Sequence, residues 1–219
     1  MPLWINFYRN GELLKKCFDR ITVSDIADEI YTNGFHIIDN FLDQTSYMKL
    51  KETAELMNSK GHFKAAKIGN GLNSTLHSAI RNDKIMWLEE ETADIALKVY
   101  LNKIHELCKT LNQSLFLGLV DFESHFAIFQ PDSFYKKHVD QFITSKERRI
   151  SCVYYLNSNW QESFGGQLKL YDCKDQLLAT VLPKANRFIC FSSELPHEVC
   201  ATKETRFSIA GWMKTRAIP

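Results

Sequence analysis

Apolar positions along the chain follow two different periods, and the change falls near residue 120. Before it they recur at helical spacing. Ile26, Ala27 and Ile30 share one face of a stretch opened by Ser24 as cap, with Asp25 in the first turn, and stopped by Asn33-Gly34. Phe35-His36-Ile37-Ile38 reads as a short strand. Tyr47, Leu50, Ala54 and Met57 define a second helix, capped by Asp43 and ending at Ser59-Lys60-Gly61. Leu97, Leu101, Ile104, Cys108 and Leu111 define the longest helix, from Thr92 to Asn112, with His105 on its solvent side.

From Asp121 the pattern becomes short β-favouring runs separated by turn residues. The expected strands are Phe122 to Phe129, Tyr135 to Asp140, Ile150 to Leu156, Gln167 to Tyr171, Gln176 to Leu182, Arg187 to Phe191, His197 to Ala201 and Thr205 to Met213. Strands in this number, with no helix between them, predict an α+β protein: a double-stranded β-helix (jelly roll, cupin-like) with supporting N-terminal helices. We divide it into a helical support region with a substrate-side loop, 1–120, and a β-helix core, 121–219, forming one integrated domain. Gly61 to Ser78 reads as a connection or a binding loop. Its Gly69-Asn70-Gly71 lacks the strand, third glycine and helix of a phosphate-binding fingerprint.

Composition narrows the class of protein. With 219 residues, 45% hydrophobic and 24% charged, the chain can bury a core without staples. A formal net charge of +1 offers no electrostatic term for nucleic acid or anionic membrane. The first residues lack a basic leader followed by a sustained apolar core, and no run is long enough to span a bilayer. Cys17, Cys108, Cys152, Cys173, Cys190 and Cys200 are scattered without a Cys-x-x-Cys, which fits a reducing compartment. The expectation is a cytoplasmic protein, monomeric, with no nucleic-acid or membrane partner.

Candidate chemistry centres on Tyr135-Lys136-Lys137-His138-Val139-Asp140. On a strand His138 and Asp140 share a face and supply two ligands of a 2-His-1-carboxylate facial triad. By itself His-x-Asp is short and common, and reads as a charged pair on a surface strand. Among the seven histidines, only His197 lies far downstream between strand-like runs and could complete the set. Nine positions later Arg206 shares a strand face with Ser208, Ala210 and Trp212. A buried guanidinium needs an anion, which is either a protein carboxylate or the carboxylate of a bound small acid.

Taken together, Tyr135-x-x-His138-x-Asp140, Tyr154-Tyr155-Leu156-Asn157 with Trp160, Gly165-Gly166-x-Leu168, Pro196-His197-Glu198-Val199 and Arg206 with Trp212 resemble a known family. It is that of the iron- and 2-oxoglutarate-dependent prolyl 4-hydroxylases, above all the branch that modifies hypoxia-inducible factor and its bacterial relatives acting on elongation factor Tu. The likeness spans roughly Phe35 to Trp212 and includes Ile80 to Leu88. It implies that His138, Asp140 and His197 bind Fe(II), and that Arg206 and Tyr155 hold the far carboxylate of 2-oxoglutarate. It also implies O2 as co-reactant, ascorbate as reductant and a protein substrate presenting a proline. Arg81, Asp83, Trp87, Arg148, Tyr135 and Trp212 would lie on the substrate side, with an ion pair between Asp83 and Arg148. Phe129 departs from the pattern, since relatives place a tyrosine there, and Gln141 to Glu147 differs from theirs in composition. Two competing readings remain: a non-catalytic metal-binding jelly roll, and an oxygenase of this fold acting on a small molecule or nucleobase.

Overall fold

The alternating second half of the chain closes into two antiparallel sheets that face one another, and the helices cover the outer face of the larger one. This is a computed structural model and describes residues 23–67, 75–89, 91, 94–142 and 145–216. The larger sheet contains β1 (Phe35–Ile38), β2 (Lys64–Ala65), β3 (Lys84–Trp87), β4 (Asp121–Phe129), β6 (Arg148–Tyr155), β9 (Phe188–Ser192) and β11 (Arg206–Lys214) in the order β1-β9-β6-β11-β4-β3-β2. The smaller contains β5 (Tyr135–His138), β7 (Leu168–Tyr171), β8 (Leu177–Val181) and β10 (His197–Val199) in the order β5-β10-β7-β8. Three α-helices, α1 (Val23–Asn33), α2 (Gln44–Ser59) and α3 (Ile95–Leu115), and a 3-10 turn at Glu162–Phe164 complete the described elements.

Helix ends follow capping chemistry. Asp43 accepts from the Ser46 backbone N–H at 2.9 Å and opens α2; Asp94 does the same for Leu97 at 2.9 Å and opens α3. The third helix therefore runs about one turn later than its apolar stripe suggested, because the stripe fixes the face and the cap fixes the start; residues 92–93, where the expected start lay, are outside the described residues. Ser24 falls inside α1 instead of preceding it.

Period-2 alternation sorts the larger sheet into two unlike faces. Phe122, Phe126 and Ile128 of β4, Ile150, Cys152 and Tyr154 of β6, Phe188 and Cys190 of β9, and Ile209 and Met213 of β11 join Leu50, Tyr100 and Ile104 in the main core. Phe41 stacks on Phe188 at 4.2 Å between ring centroids, and Asn186 ties this junction by accepting from the Tyr154 hydroxyl at 2.7 Å and the Leu42 N–H at 2.9 Å. The intervening residues face the smaller sheet, where a second cluster forms around Tyr155, Leu168, Leu170 and Phe191.

Two corrections concern strands. Lys64–Ala65 and Lys84–Trp87 pair with each other, and the latter with β4, so part of the segment expected to be loop extends the larger sheet instead. Their few apolar residues gave no period to read, and main-chain pairing with β4 supplies the order. The Gly69-Asn70-Gly71 reading lies outside the described residues. β5 stops at His138, leaving Asp140 in a bend, two residues beyond the expected strand's true end.

Candidate metal centre and pocket

His138 and His197 meet because β5 and β10 are neighbours in the smaller sheet, with the two residues as direct cross-strand partners. Their rings lie 4.2 Å apart between centroids. Asp140 joins them through the bend, which is pinned where the Gln141 N–H donates to the Ser193 carbonyl at 3.0 Å. The carboxylate reaches both imidazoles: His138 Nε2 is 3.6 Å from Oδ1 and His197 Nε2 is 3.4 Å from Oδ2. One ligand atom from each residue lies within 4.8 Å of the others, so small side-chain adjustments bring all three onto one ion with bonds of about 2 Å.

The surrounding hydrogen bonds orient these ligands. His138 Nδ1 sits 2.7 Å from the Lys136 carbonyl and His197 Nδ1 2.9 Å from the Leu195 carbonyl. A carbonyl only accepts, so when each imidazole is neutral Nδ1 carries the proton and the Nε2 lone pair faces the centre. Ser151 donates to Asp140 Oδ2 at 2.7 Å and is itself 2.9 Å from the Ser193 hydroxyl. Burial works to raise the Asp140 pKa, but the neighbouring imidazoles outweigh it and hold the carboxyl well below the usual range. Burial and the nearby His197 push His138 down, whereas His197, also buried, is drawn up by Asp140. An ionised carboxylate beside two imidazoles, all with fixed orientation, is a donor set suited to Fe(II).

Behind this centre a cavity of about 250 Å3 runs between the sheets to Arg206. Arg206 is 1% exposed, yet the described residues give it no carboxylate. Its Nη1 donates to Ser208 Oγ at 3.2 Å, its Nε has no partner among the described residues, and its Cζ lies 4.8 Å from the Phe129 ring centroid. Burial pushes the guanidinium pKa down, opposed by the Tyr155 phenol. Tyr155 is fully buried, its hydroxyl also lacks a hydrogen-bond partner, and its ring centroid lies 5.0 Å from the Arg206 Cζ. It stands beside Arg206 behind the cavity wall instead of lining it. Gly165 and Gly166 hold the adjoining turn at φ 72° and 68°, and a Cβ on Gly166 would stand 3.2 Å from Arg206 Cδ. A desolvated guanidinium with an unused N–H and a neighbouring unused hydroxyl fits the distal carboxylate of a small diacid such as 2-oxoglutarate.

The remaining expected residues all line the same cavity, but not with the expected pairing. Asp83 pairs with Arg81, at 2.6 and 2.7 Å, and Arg148 pairs with Glu123, with Nη2 2.7 Å and Nε 3.0 Å from one carboxylate oxygen. Strand geometry decides this: Arg81 lies two residues from Asp83, while Glu123 faces Trp212 across β4 and β11, and Arg148 packs 3.6 Å over that indole. Arg81 also covers Tyr135 at 4.3 Å, and Tyr135 stacks on His138 at 3.5 Å. Ser151, Ser193, Glu123 and His125 were missed. Ser151 shares a strand face with Tyr155 and His125 shares one with Phe129, so alternation along known strands was the available signal.

Comparison with known proteins gives concordant findings. Residues 124–214 match the family model described as the 2OG-Fe(II) oxygenase superfamily. A Pseudomonas putida prolyl-4-hydroxylase of known crystal structure is 32% identical, with 90% of this chain and 100% of that one covered and a TM-score of 0.80. A Trichoplax adhaerens prolyl hydroxylase, solved in complex with a hypoxia-inducible-factor oxygen degradation domain peptide fragment, is 26% identical over 88% of each chain, with a TM-score of 0.79. The human prolyl hydroxylase EGLN3 is 25% identical over 210 residues, which cover 92% of this chain and 87% of that protein.

Proposed function

The chain belongs to the 2OG-Fe(II) oxygenase superfamily and, within it, to the prolyl hydroxylases, and from that premise we propose that it hydroxylates a prolyl residue of a protein substrate at C4. 2-Oxoglutarate is converted to succinate and carbon dioxide in the same turnover. The observation that carries this reading is the pairing of a buried guanidinium, with an unused Nε–H and no carboxylate among the described residues, at one end of a cavity with two histidines and an aspartate at the other. A structural metal site has no use for the guanidinium.

His138, Asp140 and His197 would hold Fe(II), and Arg206 with Tyr155 the distal carboxylate of 2-oxoglutarate. Iron, 2-oxoglutarate and O2 supply the oxidising chemistry. The chain contributes orientation and dryness. Ser151 fixes the Asp140 carboxylate, the Lys136 and Leu195 carbonyls set the imidazole tautomers, and the apolar flank of Leu168, Phe191 and Val199 excludes water. Phe129 packs on Arg206 where a tyrosine would offer a hydroxyl, which leaves that guanidinium one hydrogen bond fewer. Arg81, Asp83, Trp87, Tyr135, Arg148 and Trp212 form the substrate side, ascorbate serves as reductant, and the protein acts as a cytoplasmic monomer without nucleic acid. Near-neutral charge supports the last point. Among the described residues no helix is long and apolar enough to cross a membrane. Residues 1–120 serve as support for the core at 121–219 and supply Arg81, Asp83 and Trp87 to the substrate side.

The test incubates the protein with Fe(II), ascorbate and 2-oxoglutarate alongside elongation factor Tu and a pooled library of proline-centred peptides. Substrate-dependent succinate and the mass of one added oxygen on proline are expected. Iron-loaded protein that releases no succinate with any of them would overturn the reading.

A further inference from the structure

One wall of the cavity holds a polar side chain that the chemistry above does not use. His125 lies on β4, on the face it shares with Ala127 and Phe129, and is 3% exposed. Its Cα partners are Trp87 on β3 and Ala210 on β11, and Ala210 in turn is opposite Val153 on β6. A single row across four strands thus leads from the half-exposed Trp87 at the rim to the strand that carries Ser151. The imidazole lies 5.0 Å from the Trp87 ring and 5.4 Å from the Trp212 ring, measured between centroids. The residues beside it on this face, Ala127, Ser208 and Ala210, are all small and leave open space above the strand.

Among the described residues, two polar atoms at this end are without partners: His125 Nδ1 and Trp212 Nε1. An unpartnered buried donor or acceptor carries a desolvation penalty, and evolution of a core alone would replace it with an apolar side chain of similar shape. Burial, and after it the charge of Arg81, pushes the His125 pKa down to about 3, so the ring stays neutral with one N–H and one lone pair. Proline itself lacks a backbone N–H, so the peptide group on its carboxyl side is the nearest one with both a donor and an acceptor. A neutral imidazole complements such a group.

We propose that His125 is a specificity-determining residue, hydrogen-bonding the main-chain peptide group that follows the target proline while Trp87 and Trp212 flank the ring. The inference rests on the prolyl-hydroxylase reading of the site. It makes recognition of the bound segment depend on its backbone at this point as well as on its side chains, and it gives the unpartnered His125 Nδ1 a use.

The experiment takes the peptide that the wild-type protein converts best from the proline-centred library. His125→Met keeps the bulk and removes both hydrogen-bonding atoms; His125→Gln keeps a donor and an acceptor. With His125→Met the KM for that peptide rises about tenfold or more, the range expected for one hydrogen bond whose partner is left buried. His125→Gln recovers most of the loss, and 2-oxoglutarate affinity, read by titration of the iron-loaded protein, is the same in all three. An ester in place of the amide after proline weakens the wild type but not His125→Met. Equal KM values for wild type and His125→Met would overturn the proposal, as would an unchanged response to the ester or a His125→Gln protein that folds like wild type and binds peptide no better than His125→Met. Failure of the wild type to convert any library peptide would instead remove the parent reading.

Discussion

The two faces of the larger sheet are made by the same strands and obey opposite rules. On the helix-covered face, Ile209 and Met213 of β11 are fully buried among Ile128, Tyr154 and Phe188, and the contact is apolar throughout. On the other face the same strand presents Arg206, Ser208, Ala210 and Trp212 to a cavity; Arg206, His125 and Trp212 on its wall, and Tyr155 behind it, each keep a polar atom with no partner among the described residues. The difference teaches where stability and function are separated in this molecule. The first face leaves the Tyr100 hydroxyl without a partner among the described residues and is packed mainly with apolar side chains, whereas the other groups several unpartnered polar atoms at one cavity. Both meet in one backbone, so a pocket with several open valences is held rigid by a closely packed, mainly apolar core.

The comparison breaks first at Arg206. Arg206→Met removes charge-assisted hydrogen bonds worth about 1.5–3 kcal/mol each to a bound diacid. The 2-oxoglutarate KM should rise by roughly a hundredfold or more, while the thermal midpoint holds or climbs, because an unpaired buried charge is gone. Kinetics in varied 2-oxoglutarate and a melting curve check both. A melting temperature that collapses would show that the guanidinium belongs to the structural side.

Across the strand, Ile209→Ala should do the reverse. Truncation in the packed face costs about 2–5 kcal/mol of unfolding free energy and leaves 2-oxoglutarate affinity of the folded protein unchanged. Denaturant unfolding beside cosubstrate titration measures the pair of effects. A smaller effect sharpens the boundary: Ser151→Ala removes the donor that orients Asp140, and loss of such a support lowers metal affinity or activity by about 10–100-fold. The drop should appear in Fe(II) titration before it appears in stability, since Ser151 contributes little apolar area.

The division of the chain into helices and short strands was legible because each period follows from the geometry of one element. Leu97, Leu101, Ile104 and Leu111 are buried on one helix face, and the eight expected strands beyond Asp121 fall where alternation placed them, within a few residues. β2 and β3 were illegible, being short strands that exist by pairing at a sheet edge. Within the site, His138, Asp140, His197 and Arg206 could be singled out as candidates by residue type, spacing and family likeness. The partners of Asp83 and Arg148 could not, since an ion pair depends on which side chains the register sets together, and several carboxylates were available to each arginine.

From residues alone came the helix faces, the order of the strands along the chain and the list of side chains able to bind a metal and a diacid, because these depend on local period and on chemistry carried by each side chain. Tertiary structure alone decided that His197 stands opposite His138, that Asp140 reaches them from a bend and that His125 lies between two indoles with its Nδ1 unpartnered among the described residues. Such relations arise from hydrogen-bond register between strands far apart in sequence, which no local pattern encodes.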